Sequence, residues 1–200
     1  MTGLLIWLVA AGLYAWFRWF YDNRRPPLTA AEIDAFLPRL PAHAHDNPAE
    51  IATLRAFLEH DDGREFAMLN LVKLAAEKVP HPETGELMSS GKLLESYTRV
   101  FFRALIRKGC HPALAARVVG GYLDSWNVPD DPGWTIIGYM RYRSRRDMME
   151  LVTDPRFANT HLFKIAATPV TMSFPTQPRI LIYASPRITV ALVLALAAAL

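Results

Sequence analysis

Cys110 and His111 are adjacent in the chain, and a thiol beside an imidazole is the pairing that nucleophilic catalysis uses. Working pairs of this kind converge from distant parts of a chain, because adjacent residues rarely bring both side chains into hydrogen-bond reach. His43 and His45, with Asp46 or His60, form a second group of metal-ligating type. A metal site needs three or four converging ligands, so a local pair in the turn-rich stretch 41–48 reads better as a polar linker. His161 is the third candidate. It lies four residues from both Phe157 and Ile165, on the apolar side of an expected helix. A histidine there can serve as acid, base or iron ligand, or more ordinarily as a core-edge group bonded to backbone or to Asn70. There is no phosphate-cradling glycine loop and no CxxC pair, so neither a nucleotide nor a metal cofactor is expected.

The ends of the chain are more apolar than its middle. Residues 3–17 are apolar throughout, and the run continues through Trp19, Phe20 and Tyr21 with only Arg18 interrupting. That is about the length needed to cross roughly 30 Å of hydrocarbon. Trp16, Trp19 and Tyr21 resemble an interfacial belt, and Arg18 can snorkel. The run lacks a basic leader and a small-residue cleavage site, so a retained anchor is expected, with a helix lying in the interface as the alternative. Arg18, Arg24 and Arg25 follow the run and favour a cytoplasmic main domain. At the other end, residues 188–200 are wholly apolar but too short to span alone. Extending the run back to Ile180 gives the length for a second membrane helix and encloses Pro186 and Arg187. The formal charge of +3 follows from arginines flanking these runs. With no basic run interleaved with aromatics, nucleic acid is not an expected partner.

Between the ends, period and punctuation give the elements. Thr29 and Glu32 form a capping box for a helix reaching Leu37. A second helix covers 48–60, starting at a proline with Glu50 in its first turn. Strands are expected over 65–74, 114–123, 134–142 and 169–174, with Gly120-Gly121 marking a bulge or a close approach to a ligand. Residues 75–90 read as a long loop. Helices are expected over 92–108, with Arg99, Arg103 and Arg107 on its solvated side, after the cap Ser144, and over 155–167. The order is β-α-β-β-α-β. This predicts an α+β fold, a ferredoxin-like split sandwich with extra N-terminal helices and terminal hydrophobic helices. Its domains would be 1–25 (anchor), 26–64 (helical linker), 65–177 (sheet domain) and 178–200 (hydrophobic segment). Helices on one side of the sheet leave its other face needing a partner.

Met68-Leu69-Asn70-Leu71, Tyr97 with Phe101, Gly120-Gly121, and the stretch from Arg141-Tyr142-Arg143-Ser144 to Asp154-Pro155-Arg156-Phe157 resemble domain-of-unknown-function family 1330. That family lies within the dimeric α/β-barrel superfamily. The resemblance covers about 66–174. It departs from the family where Phe101 stands for a common second tyrosine, Arg143 for a proline and Lys164 for an arginine. It implies a homodimer whose two sheets pack as a barrel, with a cleft between sheet and helices. The cleft residues it implies are Asn70, Tyr97, Tyr122, Tyr139, His161 and Lys164. The wider superfamily includes heme-degrading monooxygenases, cofactor-free oxygenases, lactone isomerases and stress proteins without a known reaction, and fold alone selects none of them. The expected function is therefore binding or transforming a small lipophilic molecule at a membrane. The alternative is a non-enzymatic membrane adaptor that dimerises through its sheet.

Overall fold

The structure, a computed structural model, describes residues 2–22, 25–179 and 185–200. Helix α1 (Thr2–Tyr21) leads to α2 (Ala30–Phe36) and α3 (Pro48–Glu59). The strands and helices that follow are β1 (Phe66–Lys73), β2 (Val79–Pro80), β3 (Leu87–Met88), α4 (Ser90–Arg107), β4 (His111–Arg117), β5 (Ile136–Tyr142), α5 (Arg145–Val152), α6 (Ala158–Ala167), β6 (Val170–Thr176) and α7 (Pro186–Ala199). Local chemistry sets several of these bounds. Thr29 and Glu32 make the reciprocal capping box at α2. Asn47 caps α3 ahead of Pro48, and the Ser144 hydroxyl accepts from the Asp147 N–H at the start of α5.

The main sheet runs β4-β5-β1-β6 with every neighbour antiparallel. Alternation along the central strand β1 sends Phe66, Met68, Asn70 and Val72 to one face and Ala67, Leu69, Leu71 and Lys73 to the other. The first face meets the helices. Phe66 and Met68 pack in one cluster with Ile33 and Phe36 of α2, Leu58 of α3, Phe101 and Leu105 of α4, and Met149 and Leu151 of α5. Each fully buried aliphatic side chain here contributes roughly 1.5–3 kcal/mol. The α2–α3 stretch thus helps build the core beneath the sheet. Among the described residues, no helix layer covers the second face beyond its Ala67–Arg141 end, where α1 meets it.

Several expectations are corrected. The sheet is open, with β4 and β6 as edge strands, and the expected barrel is absent among the described residues. The loop over 75–90 contains the short β2–β3 hairpin. The strand expected over 114–123 begins instead at His111, shifts register between Pro112 and Leu114, and ends before Gly120-Gly121, which lie in the following loop. The second membrane helix expected at the C-terminal end is described only in part. Helix α7 has 14 residues, about 21 Å, against roughly 30 Å of hydrocarbon. Its extension towards Ile180 lies outside the described residues, as does Arg24. Gly3–Tyr21 alone among the described residues is long and apolar enough to cross a membrane, a test of length and composition only.

The C-terminal end of α1 is seated on the sheet domain. Arg141 of β5 donates to the carbonyls of Tyr21 (3.1 Å) and Gly109 (2.5 Å) and to Glu65, and its guanidinium lies 3.9 Å from the Tyr21 ring centroid. Arg143 donates to the Phe20 carbonyl at 2.8 Å. These are last-turn carbonyls that no further turn can satisfy, so two cations cap the negative end of the helix. Gly109, at φ +68°, lies so close that a Cβ would come within 3.1 Å of the Phe20 oxygen. Helix α7 packs against α1, and its Arg187 lies 4.9 Å from the Tyr21 ring centroid on the side of the domain.

Behind this seat, buried Asp147 accepts two 2.8 Å bonds from Arg143 and one from the Ser144 hydroxyl. Asp147→Ala would leave the Arg143 guanidinium without its carboxylate, and a loss of roughly 3–5 kcal/mol is expected. Urea unfolding followed by circular dichroism measures it. A loss below about 1 kcal/mol would mean that the pair does not anchor this corner.

Candidate functional site

A cavity of about 650 Å³ lies between the helix layer and β6. Leu54 and Phe57 of α3, Met68 of β1, Phe101 of α4, Met149 of α5 and Phe157 make its walls largely apolar. Two of the six expected cleft residues reach it, Tyr97 and His161. The helical period of α4 places Tyr97 over Phe101, with ring centroids 5.4 Å apart. His161 on α6 meets the Tyr97 ring edge-on at 5.9 Å, and His43 stacks on it at 4.7 Å. Neither the Tyr97 hydroxyl nor the His161 ring nitrogens make a hydrogen bond among the described residues. Burial, then repulsion from Lys164 and His43, lowers His161 to about 4, so its imidazole is neutral at pH 7. Burial raises the Tyr97 phenol. The cavity therefore offers largely apolar walls, with the uncharged Tyr97 and His161 on one side and Glu50, Thr53, Thr171 and Ser173 as its other polar lining residues.

The other four candidates lie elsewhere. Asn70 is a cross-strand clamp, donating to the Met68 carbonyl at 3.0 Å and accepting from the Ser173 hydroxyl at 2.8 Å. Tyr139 pairs with Leu69, which puts it on the uncovered face, where its hydroxyl bonds Thr176 at 2.5 Å. Tyr122 lies in the exposed loop after β4 and accepts from the Trp134 indole at 3.1 Å. Lys164 sits one turn beyond His161 but does not line the cavity, and burial lowers its pKa.

The Cys110–His111 neighbours point apart. Cys110 is buried in the main core, where its sulfur accepts the Arg143 N–H at 3.3 Å. Burial pushes the thiol up to about 11, which keeps it protonated and unreactive. The His111 Nδ1 lies 2.9 Å from the Pro112 carbonyl, which can only accept, so the proton sits on Nδ1. Its Nε2 then accepts from the Tyr21 hydroxyl at 2.7 Å. His60 bonds the Ala56 carbonyl, and no group of three or more histidine, cysteine or carboxylate side chains gathers among the described residues.

The site that sequence reasoning missed is the arginine cluster at the foot of α1. Glu65 joins Arg141 to Arg187, and Asp22 joins Arg187 to Arg18. Burial alone would raise the Glu65 carboxyl, but hydrogen bonds from Arg187 and Arg141 outweigh it and hold Glu65 below the usual carboxylate range. The available signal was the spacing of Arg141 and Arg143, two apart on one strand face.

No family model matches the chain, and no curated protein does. The resemblance to family 1330 is thereby overturned, as the open sheet also argues. The chain is similar to the crystal structure of RPA0582, a protein of unknown function from Rhodopseudomonas palustris. The TM-score is 0.53 at 20% identity, covering 68% of this chain and 95% of that one. Methylated RPA0582 matches equally well, at TM-score 0.53 and 20% identity over 70% and 93% of the two chains. At this identity the likeness is one of fold, shared with an uncharacterised bacterial protein.

The state of His161 has a measurable sign. Unfolded, a histidine takes its proton near pH 6.5, whereas folded His161 waits until about 4. Between those values the unfolded state holds more protons, so the His161 contribution to stability should fall as pH drops through the window and level off below it. His161→Gln should reduce the slope in that part of the curve, leaving a residual slope from His111, whose pKa burial also lowers, and at the acid end from Glu32, Glu65 and Glu150, whose pKa values are lowered by their arginine and lysine partners. Thermal melts across pH 4 to 7 check this, and an unchanged slope in the variant would place His161 in water.

Proposed function

We propose that this protein is a membrane-attached adaptor that holds two copies of itself together through the uncovered face of a ferredoxin-like sheet. The composition of that face carries the reading. Two successive rows across the sheet, Leu114–Tyr139–Leu69–Phe174 and Ala116–Ile137–Leu71–Met172, contain no charged side chain. Leu114, Met172 and Phe174 are 50%, 46% and 41% exposed. Apolar area of this kind is costly in water, at about 25 cal/mol per Å². Two rows without charge are self-complementary about a two-fold axis, as a symmetric interface requires. Helices α1 and α7 supply the second half of the reading. Neither Gly3–Phe17 nor Ile188–Leu200 holds a charged residue, and Leu4, Leu5, Leu192 and Leu196 are exposed. Hydrocarbon is the medium that suits them, and the arginines at their shared foot favour a cytoplasmic domain. The scatter of Asn70, Tyr122, Tyr139 and Lys164 away from the cavity favours holding a partner over transforming a substrate.

Phe174→Glu combined with Leu114→Glu sets charge into the face without touching the core. The full chain in detergent should shift from two copies per particle to one by sedimentation velocity, with far-ultraviolet circular dichroism unchanged. A single copy per particle in the unsubstituted chain would sink the proposal.

The cavity supports a second reading, retention of a small lipophilic molecule, since its volume falls in the range of roughly 300–1,000 Å³ typical of ligand sites. Native mass spectrometry of the full chain released from detergent should show one bound lipophilic mass per chain. The mass should vanish in Leu54→Trp, which fills the cavity, and persist in Phe174→Glu. Loss in both variants, or in neither, removes this reading.

A further inference from the structure

A second pocket, of about 380 Å³, opens where α1 and α7 meet the sheet domain. Arg18 of α1, Arg187 of α7, Arg64 from the turn before β1, and Arg141 and Arg143 all line it. Asp22 and Glu65 are the carboxylates facing these five guanidinium groups. Asp147 behind Arg143 brings the acids to three, which leaves two positive charges in excess.

The excess is not spread evenly. Arg141 and Arg143 spend their donors on Glu65, Asp147 and the backbone carbonyls of Tyr21, Gly109 and Phe20. Arg187 gives Nε to Asp22 and one terminal nitrogen to Glu65, keeping Nη1 open. The Arg64 guanidinium makes no hydrogen bond or ion pair among the described residues. A guanidinium presents five N–H donors in a planar fork that matches the oxygens of a phosphate. Open donors on Arg64 and Arg187, with Arg18 paired to Asp22 beside them, therefore border one open space whose surroundings are cationic. Two apolar helices rise from the rim of that space. If they sit in hydrocarbon, its mouth lies at the level of the lipid headgroups.

We propose that this pocket binds a phosphate group of net negative charge, presented by a phospholipid headgroup or by a soluble phosphate ester. Placing the lipid as its source rests on the membrane-attached reading, whereas binding of the phosphate group itself does not. Arg64, Arg18 and Arg187 make the contacts. Arg141 and Arg143 act as positioning residues, holding the foot of α1 in register with the sheet.

The test is flotation of the full chain with vesicles of phosphatidylcholine alone and of phosphatidylcholine containing phosphatidylglycerol. Attachment to the first reports on the helices, and the gain on the second reports on the pocket. Arg64→Gln and Arg18→Gln should each cut that gain about fivefold. Arg103→Gln, an equal loss of charge on the solvent side of α4, should leave it unchanged. Glycerol phosphate titrated into the detergent-solubilised chain, followed by phosphorus NMR, distinguishes the sources. Arg64-dependent binding of the soluble ester, without a gain on phosphatidylglycerol, supports the pocket with a soluble occupant. The same result without attachment to phosphatidylcholine also supports the pocket and removes the membrane reading alone. Equal loss in all three variants would show diffuse attraction and overturn the proposal. So would binding of neither lipid phosphate nor glycerol phosphate.

Discussion

The last carbonyls of α1 point into the sheet domain, and the guanidinium groups of Arg141 and Arg143 receive them. A helix that ends in water can leave these groups to solvent, but one that ends against a protein surface cannot. The two arginines resolve this from the end of β5 and the bend just after it, each backed by a carboxylate, Glu65 for Arg141 and Asp147 for Arg143. Because those carboxylates also hold Arg187 of α7 and the Ser144 cap of α5, one charge network joins both apolar helices to the layer beneath the sheet. Gly109 completes the fit by allowing the backbone to pass within reach of the Phe20 carbonyl.

This junction explains why polar and apolar chemistry are so sharply divided in the molecule. Charges gather at the base of the helices, while the helices themselves and the outer rows of the sheet carry almost none. Among the described residues, the polar groups on the helix-facing side that lack a hydrogen-bond partner are the Tyr97 hydroxyl and His161 ring at the cavity and the buried Arg146 Nε of α5. Three of the polar residues singled out from the sequence are occupied in structural tasks. Asn70 clamps two strands, Tyr139 braces Thr176, and Cys110 is sealed under the Arg143 backbone.

Much of the element order was legible because its signals are local. The Thr29–Glu32 box, the Pro48 start and the Ser144 cap each depend on residues within three positions, and all three stand where the spacing puts them. The misread strand shows the limit. His111-Pro112 looks like the debris of a helix end, yet the chain enters the sheet there, because Gly109 turns it sharply and β5 supplies the partner. The β2–β3 hairpin escaped because two-residue strands carry no period. In the site, His161 was found from helical spacing and Tyr97 only through the family resemblance, whereas the arginine cluster was not found. Its contacts join residues more than a hundred positions apart, such as Arg141 with Tyr21, and no window on the sequence contains both.

The two edges of the sheet have a consequence for how copies of this chain can grow. β4 has Pro112 as its second residue and then slips register, while β6 carries Pro175 opposite Met68. A proline offers no N–H, and a slipped edge does not present an even ladder, so neither border is a good template for another strand. On the proposed reading, copies would stack through the face rather than knit edge to edge. Stacking uses that face up, which would give discrete particles rather than fibres.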